Sequence, residues 1–381
     1  SALEPVIVVQ DGVGTVSFGA VSLGASPAGP TGSGVVARLT FRPRGVGTSD
    51  QGAVNRTTLL RLIRDRGPLP LSQLGRWTGL APSAVARIVR ELEAAGLVRL
   101  REGGTSTGGR PPRLVELDTR AGAAVGINVG FTRIVGVAVD LRGEVLARAE
   151  AETHPREGPQ PVLERVARVI RELVEQVRPS VNRVVGAGVG VPGLVDGAAG
   201  VARFSPNLGW RDVDVRAFLA ERTGLEIYVD NDVRAATWAE YVYGAGRGTR
   251  HLLALYVGSA VGAGLVLDGR LHYGAGQAAG EIGHCVVEPD GPPCSCGKFG
   301  CLEAVASGRA IARRAARLAR QGAAPDLLAL AGGDPDAITA ELVARSARRG
   351  DPVAVRLLEE AGRYLGLAVA TVVNVLNPER V

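Results

Sequence analysis

All four cysteines of this 381-residue chain fall in one stretch, "GEIGHCVVEPDGPPCSCGKFGCLE", residues 280–303, with one of its four histidines. Three thiolates and an imidazole, His284, Cys294, Cys296 and Cys301, would complete a closed tetrahedral shell around a structural zinc ion (Zn2+), leaving no position for water. The glycines and prolines of "GPPCSCGKFGC" suit a backbone folded around an ion, although Cys-x-Cys-x4-Cys is not the usual Cys-x2-Cys knuckle. Disulfides and a nucleophilic thiol are the competing readings. Clustered cysteines fit a reducing cytoplasm better than a disulfide scaffold, and no single cysteine stands apart. Cys285 is the spare, read as a packed core residue rather than a ligand.

Composition narrows what such a loop can belong to. The length allows two or three domains. No uninterrupted apolar run suits a membrane span, and the start, "SALEPVIVVQDGVG", lacks the basic and apolar regions of a secretory signal. The basic residues are almost all arginine, and Lys298 is the single lysine. Their distribution is uneven. Residues 51–113 hold eleven arginines against four acids, which exceeds the formal net charge of +6 of the whole chain. A basic segment on a near-neutral body points to a nucleic-acid partner for that segment.

The elements that must carry these residues can be read from periodicity. Residues 1–50 sustain no period and read as a disordered leader. From Val54, Leu59, Leu60, Leu62 and Ile63 share a helical face, and Gly67-Pro68 ends that helix. "LSQLGRWTGL" is a short second helix. "APSAVARIVRELEAAG" is a third, with Val85, Ile88, Val89 and Leu92 inward. Strands "LVRL" and "RLVEL" follow, joined by "REGGTSTGGRPP". The whole, residues 51–118, is an α+β winged helix-turn-helix. Its third helix would lie in the major groove, presenting Ser83, Ala84 and Arg87 to base edges after Pro82 at its start. Arg87 suits guanine, Arg90 suits phosphate, and Arg110 in the wing suits a narrow minor groove. A protein–protein winged helix is the alternative.

Residues 119–243 and 244–381 each begin with strands and continue into helices. This is the pattern of a duplicated two-lobe α/β fold with a cleft between the lobes.

"GEIGH" followed by "CSCGKFGCLE", with "GVGVPGLVD", "SPNLGW" and "VDNDVRAA", resembles the signature of the ROK family of bacterial repressors, open reading frames and sugar kinases. The resemblance runs from about residue 54 to the end, and the winged helix with "STGGRPP" is similar to the xylose-repressor branch. It implies an actin-like, ribonuclease H-like sugar-kinase fold. It also implies a chain that continues past "NVLNPE", so a fragment is expected.

The resemblance assigns sugar contacts to Asn207, Asn231, Asp232, Glu281, His284 and Glu303, whose carboxylates and amides suit paired hydroxyls. His284 would hold metal through one ring nitrogen and sugar through the other. In the kinase branch the aspartate at 232 is the general base. The resemblance also implies, for the kinase branch, a phosphate site made of an Asp-x-Gly-Gly-Thr hairpin plus a second glycine-rich turn, whose glycines let backbone N–H groups approach phosphate. This chain has Asn128, Gly130, Phe131 and Thr132 in the first, and Gly258, Gly262 and Gly264 in the second. The neutral amide and the aromatic ring argue against ATP use. The expectation is a non-enzymatic repressor, a homodimer or homotetramer, with operator DNA and a monosaccharide effector as partners. The alternative is a glucokinase or N-acylhexosamine kinase carrying a DNA-binding arm.

Overall fold

The computed structural model describes residues 50–103 and 113–381, with short strand segments between residues 6 and 41. The expected leader and wing-loop residue Arg110 therefore fall outside the described residues. The described chain forms two compact units that meet between Asp232 and Val233.

The N-terminal unit starts with α1 (Asp50–Arg66), β1 (Leu69–Pro70), α2 (Leu71–Thr78) and α3 (Pro82–Ala94). Gly67 and Pro68 follow directly on α1, where the missing proline N–H prevents continuation. α2 is capped by Gly79 in the left-handed region, φ +68°, a conformation that costs glycine nothing. α3 buries Val85, Ile88, Val89 and Leu92. Strands β2 (Val98–Glu102) and β3 (Arg113–Leu117) pair antiparallel, and β1 adds to β3, giving the sheet order β1-β3-β2. Three helices and a wing are thus in place.

The same unit continues with a five-stranded sheet. Strands β4 (Ala123–Val129), β5 (Arg133–Asp140) and β6 (Val145–Glu152) form an antiparallel meander. Helix α4 (Pro159–Val177) then crosses to β7 (Val184–Val191), parallel to β4. Eight inward residues of α4, Val162 through Val177, pack on one face of the sheet. Each fully buried Leu or Ile there contributes about 1.5–3 kcal/mol. A small antiparallel sheet follows, β8 (Leu194–Asp196), β9 (Val201–Ser205) and β10 (Trp210–Asp214). Helix α5 (Val215–Thr223) leads into β11 (Ile227–Asn231), parallel to β7. The large sheet has the order β6-β5-β4-β7-β11.

The C-terminal unit holds nearly all of α6 (Asp232–Val242) and the antiparallel β12 (Leu252–Val257), β13 (Val261–Leu267) and β14 (Arg270–Leu271). α6 presses closely on β13. A Cβ at Gly264 would lie 1.9 Å from Thr237 Oγ1, and one at Gly262 would lie 3.1 Å from Val233. Helix packing therefore gives a reason for these two glycines of the second turn. Helices α7 (Leu302–Ala306), α8 (Gly308–Arg320), α9 (Pro325–Leu330), α10 (Ala340–Arg348) and α11 (Pro352–Leu376) complete the unit. The winged helix followed by a two-part α/β body is the fold class expected from the sequence.

Candidate functional site

The cysteine loop is built between β14 and α7. Backbone bonds close it on itself: Val287 N donates to Gly300 O at 2.9 Å, and Cys294 N to Lys298 O at 2.8 Å. Gly300 has φ +62°, and a Cβ there would come within 1.5 Å of Glu288 O, so no other residue fits. The fold brings one ligand atom each from His284, Cys294, Cys296 and Cys301 within 4.8 Å of one another. Cys294 Sγ is 3.6 Å from His284 Nδ1, and Cys296 Sγ is 3.6 Å from Cys301 Sγ. Burial and the neighbouring thiols push the Cys301 thiol up to about 12. Burial also opposes ionisation of Cys296, but the Lys298 amide, the other two thiols and the Lys298 ammonium outweigh it and bring that thiol below its usual range. Three crowded sulfurs cannot all ionise without a cation between them, so the donor set suits a metal. Cys285 is exposed and outside the cluster, which corrects the expectation of a packed core residue. Its backbone stays in the loop, accepting from Leu302 N at 2.9 Å, while its side chain faces solvent.

His284 presents Nδ1 to the sulfurs and leaves Nε2 4.0 Å from Glu281 Oε2. Glu281 is raised above its ordinary range by burial, against the pull of His284 and Arg234. Glu303, 8% exposed, accepts from Val261 N at 3.2 Å through Oε2 and from Arg309 Nη2 at 3.4 Å through Oε1. It also lines a cavity of about 340 Å³ together with Cys294, Ser295 and Arg309. Glu281, His284 and Glu303 are thus gathered around the loop.

Three residues that brace this loop and its neighbours were given no site role by the sequence. Arg234, buried in α6, donates to Gln277 O at 2.5 Å and lies 5.0 Å over the Tyr273 ring, fixing the segment that leads to Glu281. Arg309 donates to Ser259 O at 2.9 Å. Lys298 Nζ donates to His284 O at 2.7 Å. The one available signal is an arginine inside the apolar run of α6.

On the N-terminal unit, Asn231 ends β11, is buried, and donates from Nδ2 to Gly193 O at 2.9 Å. Asp232 follows it directly, half-buried at the start of α6. Asn207 sits half-buried in the turn between β9 and β10. In the first hairpin Asn128 is buried, Phe131 is 42% exposed and Thr132 is exposed. Gly130 N donates to Arg133 O at 2.9 Å, and a Cβ at Gly130 would come within 2.8 Å of that oxygen, so the turn is tight. In the second turn a Cβ at Gly258 would lie 2.8 Å from the Tyr256 hydroxyl oxygen.

On α3, Ser83, Arg87 and Arg90 are exposed at helical spacing, opposite the buried stripe, and Ala84 is half-buried beside them. Arg87 Nη1 pairs with Glu91 Oε1 at 2.6 Å, and Glu91 Oε2 takes Arg56 Nη1 of α1 at 3.0 Å.

Comparison with known proteins places these features in a family. Residues 54–102 match the profile of the MarR family. The xylose repressor of Caldicellulosiruptor bescii is 30% identical over 86% of this chain and 82% of its own length. The N-acetylglucosamine repressor of Escherichia coli O157:H7 is 30% identical over 86% of this chain and 79% of its own. The crystal structure of a ROK family transcriptional regulator, a homolog of the E. coli MLC protein, superposes with a TM-score of 0.72 at 30% identity, covering 86% of this chain and 82% of that one. With residues 124–381 matching the ROK family profile, this chain belongs to the ROK family.

Proposed function

We propose that this protein is a sugar-responsive transcriptional repressor of genes for sugar uptake or catabolism. The observation that carries the reading is one chain holding both a winged helix with an arginine-bearing exposed face and a ROK body, similar over 86% of its length to named repressors. In this reading Ser83, Ala84 and Arg87 of α3 meet base edges and Arg90 and Arg110 meet the backbone and minor groove. Two copies in a homodimer, or a homotetramer, read a pseudo-palindromic operator in the cytoplasm. Among the described residues no helix is long and apolar enough to cross a membrane. The effector is a monosaccharide held by Asn207, Asn231, Asp232, Glu281, His284 and Glu303. The similar repressors are named for different sugars, so the sugar is left to the experiment. It acts only by binding one state of the repressor better than another.

The metal assigned to His284, Cys294, Cys296 and Cys301 is structural zinc. Zinc–sulfur bonds of about 2.3 Å set tetrahedral sulfur–sulfur edges of roughly 3.8 Å, and the Cys296 and Cys301 sulfurs stand 3.6 Å apart. A bound zinc ion neutralises the thiolates. With Nδ1 turned to the metal, the His284 Nε2 remains for a hydroxyl.

A kinase reading is favoured by one observation, the carboxylate of Asp232 at the strand end. Against it stand the neutral amide of Asn128 where magnesium needs a carboxylate and the Phe131 ring beside it. The deciding experiment is a fluorescence-anisotropy titration of operator DNA with xylose, glucose and N-acetylglucosamine present in turn. Sugar-dependent DNA affinity supports the repressor, and DNA binding indifferent to every sugar sinks the effector claim. ADP release with these sugars, abolished in Asp232→Asn, would establish the kinase instead.

A further inference from the structure

Glu116 lies on the face of the wing where a carboxylate should meet water, yet it is 6% exposed. Its chain neighbours Val115 and Leu117 are buried, so strand alternation turns Glu116 to the opposite face of β3. Directly across the pair stands Arg99 of β2. Arg99 Nε donates to Glu116 Oε1 at 2.8 Å, and Arg101 Nε lies 3.5 Å from Oε2. These two arginines belong to the same hairpin and already partner the carboxylate. A third guanidinium arrives from outside the winged helix. Arg142, on the turn between β5 and β6, brings Nη2 to 3.8 Å from Glu116 Oε2.

The turn that carries Arg142 is tightly held. Asp140, itself buried, accepts through Oδ1 from Arg142 N at 2.8 Å and from Glu144 N at 3.0 Å. Gly143, with φ +96°, donates to Asp140 O at 3.1 Å. The connection between wing and body is tied on both sides. Asp118 N donates to Leu97 O at 3.0 Å, and Asn182 N donates to Arg120 O at 2.8 Å. The winged helix and the five-stranded sheet fall in one compact unit. Three guanidinium groups gathered at one carboxylate are held by its charge, and without that charge they repel one another.

We infer that Arg142 is a positioning residue for operator binding, whose pairing with Glu116 sets the angle at which the body holds the winged helix. The inference rests on the DNA-binding reading proposed above and not on the sugar. A fixed angle matters when two half-sites are read together, because the second contact is then made at an effective concentration that geometry sets. A loosely held reader still finds a single half-site.

The test uses the full chain and a duplex that the original chain selects from a random pool, together with one half of that duplex. Both are titrated by fluorescence anisotropy over a salt series. Arg142→Ala is expected to weaken the whole duplex about two- to fivefold, the range of a partly exposed ion pair. Half-site affinity and salt slope should stay as they were. Arg142→Lys, which keeps the charge, should restore most of the loss. Glu116→Gln should lose more than Arg142→Ala, and adding Arg142→Ala to it should recover affinity, because the repelling third charge is gone. Amide hydrogen exchange in residues 118–123 should quicken in Arg142→Ala while that of α4 is unchanged. Equal losses on both duplexes, with the salt slope reduced by about one, would make Arg142 a phosphate contact and overturn the inference. Additive losses in the double variant, unaltered affinity for the whole duplex in Arg142→Ala, or a selected duplex with a single half-site would overturn it too. If the original chain selects no duplex, the DNA-binding reading fails and this inference falls with it.

Discussion

At the scale of single residues, the decisive chemistry is a set of sulfurs that cannot keep their charge alone. The Cys301 thiol stands at about 12 while its neighbour Cys296 is drawn down. A set of this kind takes up metal by losing protons, and it is expected to lose metal when one donor goes. Cys296→Ser is expected to lower the zinc content from one ion per chain to near zero, read by plasma mass spectrometry of the dialysed protein. It should also lower the melting temperature, because the loop between Glu288 and Gly300 has few apolar contacts of its own. The grouping of His284, Cys294, Cys296 and Cys301 was legible from type and spacing. Arg234 was not, because an arginine in a helix reads as solvent-facing until its burial and its bond to Gln277 O are seen. Cys285 misled for the opposite reason: a cysteine directly after His284 suggests packing, but the turn after Ile282–His284 leaves it exposed.

At the scale of elements, α3 combines a buried stripe with an exposed one, and Glu91 joins it to α1. Arg56 and Arg87 hold the Glu91 carboxyl below its ordinary 4.5 in spite of the opposing effect of burial. A lowered carboxyl contributes stability above pH 4.5, and that contribution disappears as pH falls through its folded value. Glu91→Gln should therefore be less stable than the original chain at pH 7, with the difference closing in acid, as urea titrations at several pH values would show. Arg87 and Arg90 should separate in DNA binding. Arg87→Ala is expected to cost about 1–3 kcal/mol on the preferred operator and to relax base preference, whereas Arg90→Ala should weaken all sequences alike and reduce the salt slope by about one. Anisotropy over a salt series distinguishes the two. The helices and wing were readable because their apolar spacing matches 3.6 and 2.0. The small sheet from Leu194 to Asp214 was not, because its short strands carry "VARFS" and "WRDVD", in which charge and loop-like residues hide the alternation. The glycines of β13 were read as a phosphate turn, and only the closeness of Thr237 shows that helix packing also requires them.

At the scale of the whole chain, the arginine excess of residues 51–113 sets a strongly basic reader on a nearly neutral body. The organisation into winged helix and paired α/β parts was legible because each part restarts its own pattern of strands followed by helices. The boundary between the two compact units was not, since it falls at Asp232 and Val233, inside a helix that no break in sequence marks. Lys298, whose ammonium caps the His284 carbonyl, has a practical consequence at this scale. It is the only lysine in 381 residues. An endoproteinase that cuts after lysine therefore has a single site in the entire polypeptide, and that site lies inside the cysteine loop. With metal in place the chain should resist digestion. After chelation it should fall into two pieces, residues 1–298 and 299–381, so that two bands on a gel report the state of one ion.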